Sequence, residues 1–294
     1  TATYRPDRDR WREVATAPRP SDLTAPFVWT GNELVITEVE EDGSRLRGLA
    51  YQPDEDRWRR LARYEVEPDG RPDHALADAL WTGTHVVVVD SLGLLAAYDP
   101  AADCWTELGA VPGEPWAWRL YRSADAILVE SRRWDEPVEI RAFDPATGDW
   151  SEPSVGPLDR DASEGGGNWI DGRLVYVTWY PTTDVRTSWN AVFDPAAMTW
   201  SEFEHECAAN ASGTIKAAGL LVASDGTRAI DGRALECVDL PAPPWELNGT
   251  ERWVWTEEEL IAWSGIRSLA EPPRRRGLLL TVPERSDAAK PVGD

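Results

Sequence analysis

The sequence predicts an all-β fold, a six-bladed β-propeller of four-stranded antiparallel blades, and three observations predict it. An aromatic-x-Pro-x-x-x-x-Trp motif recurs along the 294 residues, with successive tryptophans 45 to 50 residues apart. A short apolar hairpin lies between consecutive motifs. The two ends of the chain carry complementary parts of one further unit. A repeat of about 40–50 residues made of short strands is typical of propellers.

The motif predicts the outer half of each blade. Its aromatic residue ends a third strand, Pro and Asp form a turn, and Trp enters a fourth strand. A buried indole covers up to about 250 Å², so we interpret the repeated Trp as a wedge between blades, together with Trp29, Trp81, Trp169 and Trp255 of the inner strands. The six copies lie at 4–11, 51–58, 98–105, 143–150, 193–200 and 238–245, the last keeping only its Trp.

The apolar hairpins predict the two inner strands of each blade. Each has β-branched or aromatic residues on both sides of a turn that carries Gly, Asp or Asn. The copies lie at 28–36, 80–88, 120–129, 169–175, 215–222 and 255–262. We therefore expect a single domain over 1–294, with blades at about 22–66, 75–110, 116–155, 166–204, 212–247 and 250–284.

The two ends predict ring closure. Residues 11–14 form an outer strand with no inner strands before it, and residues 277–283 form a third strand that no Trp follows. We expect residues 1–18 to complete the blade at 250–284, which removes the open edge of the sheet.

Two stretches carry a family resemblance. Residues 28–36 (VWTGNELVI) and 143–150 (FDPATGDW) resemble kelch-type propeller repeats of bacteria, and the resemblance extends over nearly the whole chain. By analogy with this fold, ligands bind at the mouth of a central channel. The loops on that face join the second strand to the third and the fourth strand to the next blade.

Aromatic residues are the main candidates for ligand binding. Seven of the 17 tryptophans fall outside the structural positions, and most of them lie in or beside loops of the predicted mouth. Exposed indoles on one face indicate an apolar or cation-accepting pocket. The alternative is that these rings only pack long loops onto the end of the barrel. The predicted binding residues are Trp116, Trp118, Arg119, Trp134, Trp179, Tyr180 and Trp263.

Carboxylates and histidines are the candidates for catalysis. Glu38, Asp90 and Glu130 occupy one equivalent position at the end of the second strand, where they can raise one another's pKa or hold a cation. The alternative is that they are hydrated or paired with nearby arginines. His74 and His205 fall in loops of the same face and are candidate general bases.

Composition and missing motifs exclude several functions. A net charge of −22 disfavours nucleic acid and anionic membranes as partners. The sequence has no phosphate loop, nucleophile elbow, zinc signature or dinucleotide fingerprint, so we expect no cofactor and no metal. It has no apolar run of membrane-spanning length and no signal-like start, which favours the cytoplasm, with secretion after removal of a signal as the alternative. In an oxidising compartment, Cys207 and Cys237 are the pair expected to bond.

These observations predict a protein that binds a small organic ligand or a peptide at a Trp-rich mouth. One alternative is a cofactor-independent lyase, cyclase or hydrolase that uses acid–base residues of the same pocket. The other is an acidic scaffold that captures a basic protein. The sequence leaves the oligomeric state open, and a monomer is compatible with it.

Overall fold

The computed structural model describes most of the chain as β-strands and the turns between them. In the strands at the two ends of the chain, only the backbone is described. The described residues are 2–5, 10–19, 25–40, 45–65, 75–113, 117–132, 136–157, 167–177, 190–204, 207, 214–217, 219–223, 226–241, 252–255, 259–263 and 277–281. Contacts divide the chain into two compact units, 1–156 and 157–294. Within the described ranges there is no helix long and apolar enough to cross a membrane.

The first unit begins with a strand pair, which three antiparallel meanders follow. The pair is β1 (Ala2–Arg5) and β2 (Arg10–Glu13). The first meander is β3 (Phe27–Trp29), β4 (Leu34–Val39), β5 (Arg45–Gln52) and β6 (Arg57–Arg60), with β7 (Tyr64–Glu65) on β5. The second is β8 (Leu76–Trp81), β9 (Val86–Asp90), β10 (Leu94–Asp99) and β11 (Cys104–Ala110). The third is β12 (Ala117–Arg122), β13 (Ile127–Arg132), β14 (Glu139–Asp144) and β15 (Asp149–Trp150), with β16 (Ser154–Val155) on β14.

The second unit contains two further four-stranded meanders and a three-stranded sheet. The first meander is β17 (Asn168–Ile170), β18 (Arg173–Tyr176), β19 (Ala191–Asp194) and β20 (Thr199–Glu202). The second is β21 (Thr214–Ala217), β22 (Leu220–Ala223), β23 (Arg228–Asp231) and β24 (Cys237–Asp239). The last sheet is β25 (Arg252–Trp255), β26 (Glu259–Trp263) and β27 (Gly277–Thr281). All six predicted inner hairpins are therefore confirmed.

The core of the first unit lies between its meanders. Strand β9 is buried at every position because it packs on both faces. Val86 and Val88 pack with residues of the first meander, whereas Val87 and Val89 pack with residues of the third. This is the two-residue period of a strand, and it explains why β9 reads as an uninterrupted apolar run.

The Pro/Trp motif forms the turn between third and fourth strands, as predicted. Its aromatic residue and its Trp face each other across the ladder, for example Tyr51 with Trp58 and Phe193 with Trp200, whose ring centroids are 5.0 and 5.1 Å apart. The residue five positions after the aromatic has a positive φ in every described turn. Those residues are Asp56, Asp103, Gly148 and Met198, and Leu235 has the same positive φ five positions after Ile230.

Leu235 shows that the predicted sixth copy at 238–245 was wrong. Strands β23 and β24 pair Ile230 with Cys237, in the register that other copies use for their aromatic residue and Trp. The sixth copy is therefore 230–237, and Cys237 stands where the other copies have Trp. Cys237 is bonded to Cys207, with the two Cα atoms 5.3 Å apart. Instead of an indole wedge, this copy has a disulfide to the segment that follows β20.

The interpretation of Trp as a wedge holds for Trp58 and Trp105. Their Nε1 atoms donate to the carbonyls of Ala15 and Ala62, each 2.8 Å away, in the segment that leaves the preceding outer strand. Each alanine N–H in turn donates to a motif carboxylate, Asp56 or Asp103. By contrast, Trp29 is 52% exposed, so its predicted role as a buried inner wedge was wrong.

Tyr98→Phe tests one hydrogen bond within the second meander and one that joins it to the first meander. The Tyr98 hydroxyl donates to Asp103 Oδ1 at 2.5 Å and accepts from Arg59 Nη1 at 2.8 Å. Loss of the Tyr98 hydroxyl should lower the free energy of unfolding by about 1–2 kcal/mol. Urea titration measures this change. Asp103→Ala in the same background should add less than it costs alone, because the two groups share one hydrogen bond. Full additivity would contradict the coupling.

Candidate functional site

The structure describes five of the predicted site residues in full. Glu38, Asp90, Glu130, Trp118 and Arg119 all have described side chains. Trp263 lies in β26, where only the backbone is described. The remaining predictions fall outside the described residues: His74, His205, Trp116, Trp134, Trp179 and Tyr180.

Arg119 and Glu130 come together in a cluster of ionisable residues on β12 and β13. They are direct partners in the ladder between these two strands. Glu130 accepts hydrogen bonds from Arg132 Nε at 2.6 Å and from the Tyr121 hydroxyl at 2.8 Å. Glu130 is 0% exposed and Arg132 is 7% exposed, so this is a buried ion pair. The Arg119 side chain is exposed, and its guanidinium has no hydrogen bond or ion pair with the part of the chain that the structure describes.

Asp78 belongs to the same cluster, although sequence reasoning missed it. It lies on β8, beside an irregularity in the ladder with β9. Its Oδ2 atom accepts from the Leu120 N–H at 2.8 Å and so joins the first strands of two neighbouring meanders. Burial raises the pKa of Asp78, against the lowering effect of the Leu120 and Ala79 amides and of Arg119.

The Tyr121 hydroxyl remains a donor throughout the physiological pH range. Burial first, and then the Glu130 carboxylate, raise the pKa of Tyr121 well above its usual value. A protonated Tyr121 can therefore always donate to Glu130. Together, Asp78, Arg119, Tyr121, Glu130 and Arg132 form what we call the inner-strand cluster, and Arg119 is its exposed member.

The other two candidate carboxylates have their own partners. Asp90 Oδ1 accepts from the N–H groups of Leu92 and Leu94, at 2.9 and 2.8 Å, and caps the turn between β9 and β10. Glu38 contacts Arg19 and accepts from Arg47 Nε at 3.2 Å. Each carboxylate at this equivalent position is therefore held by groups that differ from sheet to sheet.

Trp118 lies in the core and does not form an exposed wall. It is only 3% exposed and packs with apolar residues of the second and third meanders. Gly93 lies beneath the indole with φ +86°, and a Cβ atom there would be 2.7 Å from the ring. Strand β12 therefore buries Trp118 and Leu120 and exposes Arg119, which lies between them.

Two cavities open at the end of the strands where first and second strands are joined, opposite the predicted mouth, and the sequence predicted no site there. Their volumes are about 610 and 460 Å³, and His85, in the turn between β8 and β9, lines both. These volumes fall in the range of small-ligand sites. Thr82 Oγ1, however, accepts from the His85 N–H at 3.0 Å, and the Thr84 hydroxyl lies 2.9 Å from His85 Nδ1. The polar groups of Thr82, Thr84 and His85 on this wall therefore already contact one another within the turn.

No group of three His, Cys, Asp or Glu side chains suitable for a metal occurs within the described ranges.

No family model matches the chain, and no curated protein does either. Solved structures do match. One chain of the "Crystal Structure of Mitotic Checkpoint Complex" aligns over 87% of this chain and 77% of its own length, with a TM-score of 0.56 and 16% identity. That likeness and the five four-stranded meanders support an all-β, propeller-like fold.

Proposed function

We propose that the chain is a six-bladed, kelch-type β-propeller that binds a small organic ligand or a peptide segment at the mouth of its central channel. It does so without a metal or cofactor. Arg119 is the residue that we assign to the ligand, and its proposed walls are the surplus aromatic residues Trp116, Trp134, Trp179, Tyr180 and Trp263.

The six inner hairpins support six blades, whereas the sheets at the two ends of the chain bear on ring closure. The sheet β25–β27 contains three strands, one fewer than each complete meander. The pair β1–β2 has Tyr4 opposite Trp11, the register that Tyr51 and Trp58 adopt in the outer strands of a meander. The pair and the last sheet together hold five strands, one more than a four-stranded blade, so they do not by themselves argue for ring closure. Closure stays part of the proposal because it would remove open sheet edges.

The observation that carries the binding proposal is that, in the inner-strand cluster, the carboxylates have hydrogen-bond partners whereas the guanidinium of Arg119 is exposed. Its carboxylates are occupied: Glu130 by Tyr121 and Arg132, and Asp78 by backbone amides. Arg119 is exposed, and Asp78 lies close enough to interact with it electrostatically. A guanidinium in this setting is suited to bind a carboxylate or another acceptor of a ligand.

The enzyme alternative needs a free acid or base at the same mouth. Glu38, Asp90 and Glu130 are each engaged by guanidinium, hydroxyl or amide groups. For a general acid or base, geometry comes before pKa. His74 or His205 would then have to perform the chemistry, so we favour binding over turnover.

A ligand panel tests the proposal through tryptophan fluorescence and thermal stability. We expect at least one small carboxylate-bearing compound or peptide to change both signals. Arg119→Met should weaken that response about tenfold or more, because a charged hydrogen bond is lost. Arg122→Met is the matched control, since Arg122 is also exposed but lies at the opposite end of β12.

The other outcomes separate the alternatives. Loss of the response in His85→Ala, with Arg119→Met unaffected, would move the site to the opposite face. Turnover of a compound would support the enzyme. A panel without any response, combined with capture of basic proteins that is lost at high salt, would support the acidic scaffold.

The proposed partner is a small ligand or a peptide. Nucleic acid and membranes are not proposed, because the net charge of −22 disfavours them. The compartment stays a prediction, with the cytoplasm favoured by the sequence and secretion with the signal removed as the alternative. The bond between Cys207 and Cys237 favours an oxidising compartment, because cytosolic thiols are normally kept reduced.

A further inference from the structure

Four arginines line a small cavity beside the first meander, and we call it the arginine pocket. Its volume is about 200 Å³. Arg47 lies on β5, Arg60 ends β6, Arg63 precedes β7, and Arg19 follows β2. Gly48 and Leu61 complete the lining. A Cβ atom on Gly48 would be 2.5 Å from the Ile36 carbonyl oxygen and 2.6 Å from Leu61 Cδ1, so this wall has no room for a side chain.

Two glutamates contact the arginines of the pocket without lining it. Glu38 contacts Arg19 and Arg47, and Glu40 lies 3.4 Å from Arg63 Nε. Both glutamates are mostly buried, with side chains 8% and 13% exposed. Among the described residues, four guanidinium groups against these two carboxylates leave a local charge of about +2.

Arg60 is the cation left for a ligand. It is exposed and has no ion pair with any described residue. Burial, and then the guanidinium groups of Arg47 and Arg60, lower the pKa of Arg19, which agrees with a local excess of positive charge. An added anion would relieve this repulsion.

The net charge of −22 does not prevent a small anion from binding. Exposed charges farther away than the Debye length, about 8 Å at physiological ionic strength, are largely screened. A polyanion that extends over the surface meets the acidic field, whereas a single anionic group inside the pocket meets mainly the arginines. The local charge of the pocket, and not the net charge of the protein, therefore determines whether a small anion binds.

We propose that the arginine pocket binds a tetrahedral oxyanion, a phosphate or sulfate group that is free or forms the end of a larger molecule. The cavity is smaller than the roughly 300–1,000 Å³ of sites for whole organic ligands, so a single group suits it. Guanidinium groups bind such oxygens through paired, charge-assisted hydrogen bonds. This site is separate from the mouth proposed above and does not depend on it.

Calorimetric titration with inorganic phosphate at fixed ionic strength tests the pocket in the full-length chain. Arg60→Met should weaken binding about tenfold. Arg57→Met is the matched control, because Arg57 lies on the same strand but pairs with Glu55. Glu40→Gln should strengthen binding, since it removes a negative charge beside Arg63. Phosphoserine in place of phosphate shows whether the group can belong to a larger molecule.

An increase in affinity for Glu40→Gln is the decisive sign, because a variant that merely damaged the pocket would bind less. Arg119→Met should bind phosphate normally, which separates this site from the mouth. Melting without phosphate should match the wild type for Arg60→Met, since Arg60 is exposed. The inference is overturned if phosphate does not bind, if chloride gives the same response, or if Arg60→Met and Arg57→Met behave alike.

Discussion

Arg132→Met should lower the free energy of unfolding by about 3–5 kcal/mol at neutral pH. Arg132 donates to Glu130 at 2.6 Å, and Glu130 is fully buried. Methionine fills a similar volume without the charge, so the variant leaves the Glu130 carboxylate in the interior without this cation. Urea unfolding followed by tryptophan fluorescence measures the loss.

The pH dependence of the same variant identifies the cause. Once its cation is gone, the buried Glu130 is expected to favour its protonated form more in the folded state than in the unfolded state. A raised folded-state pKa of an acid means that stability falls as the pH rises above the unfolded value of about 4.3. The cost of Arg132→Met should therefore be smaller at pH 5 than at pH 8.

Arg57→Met gives the scale for an exposed pair. Arg57 and Glu55 have side chains 54% and 57% exposed, so removing this pair should cost at most about 1 kcal/mol. Adding Glu130→Gln to Arg132→Met should recover part of the loss, because no buried charge is then left unpaired. Equal costs for Arg132→Met and Arg57→Met, or a cost independent of pH, would contradict a buried ion pair.

The sequence predicted the strands well because each repeat contains its own turn signals. Gly, Asp and Asn mark the inner hairpins, and the Pro/Trp motif marks the outer turn. The sixth motif failed because Cys237 replaces its Trp, while Trp245 lies by coincidence at the expected spacing. Only the pairing of Ile230 with Cys237 gives the true register.

The candidate site was partly predictable. Arg119 and Glu130 were named from the sequence, and the ladder between β12 and β13 brings them together. Asp78 was missed because its partner, the Leu120 N–H, belongs to a neighbouring meander, and contacts between sheets do not follow from spacing within one repeat. The burial of Trp118 could have been predicted, because Trp118 and Leu120 alternate with Arg119 as in a half-buried strand.

Removing the disulfide should be the second large effect. Replacing Cys207 and Cys237 together by alanine should cost about 3–4 kcal/mol, because the bond closes a segment with a sequence separation of 30 in the unfolded chain. Cys104→Ala is the control, since Cys104 is exposed and free, and it should leave stability unchanged. Alkylation of the denatured wild type should modify one cysteine without reductant and three with it.

Cys207→Ala combined with Cys237→Trp asks whether the bond replaces the indole. Cys237 lies opposite Ile230 as Trp105 lies opposite Tyr98. A tryptophan at this position can pack on Ile230 and reach the segment after β20, as Trp105 reaches Ala62. We therefore expect this variant to be more stable than the double alanine variant. If the double alanine variant melted like the wild type, the disulfide would not have the structural role of the motif Trp.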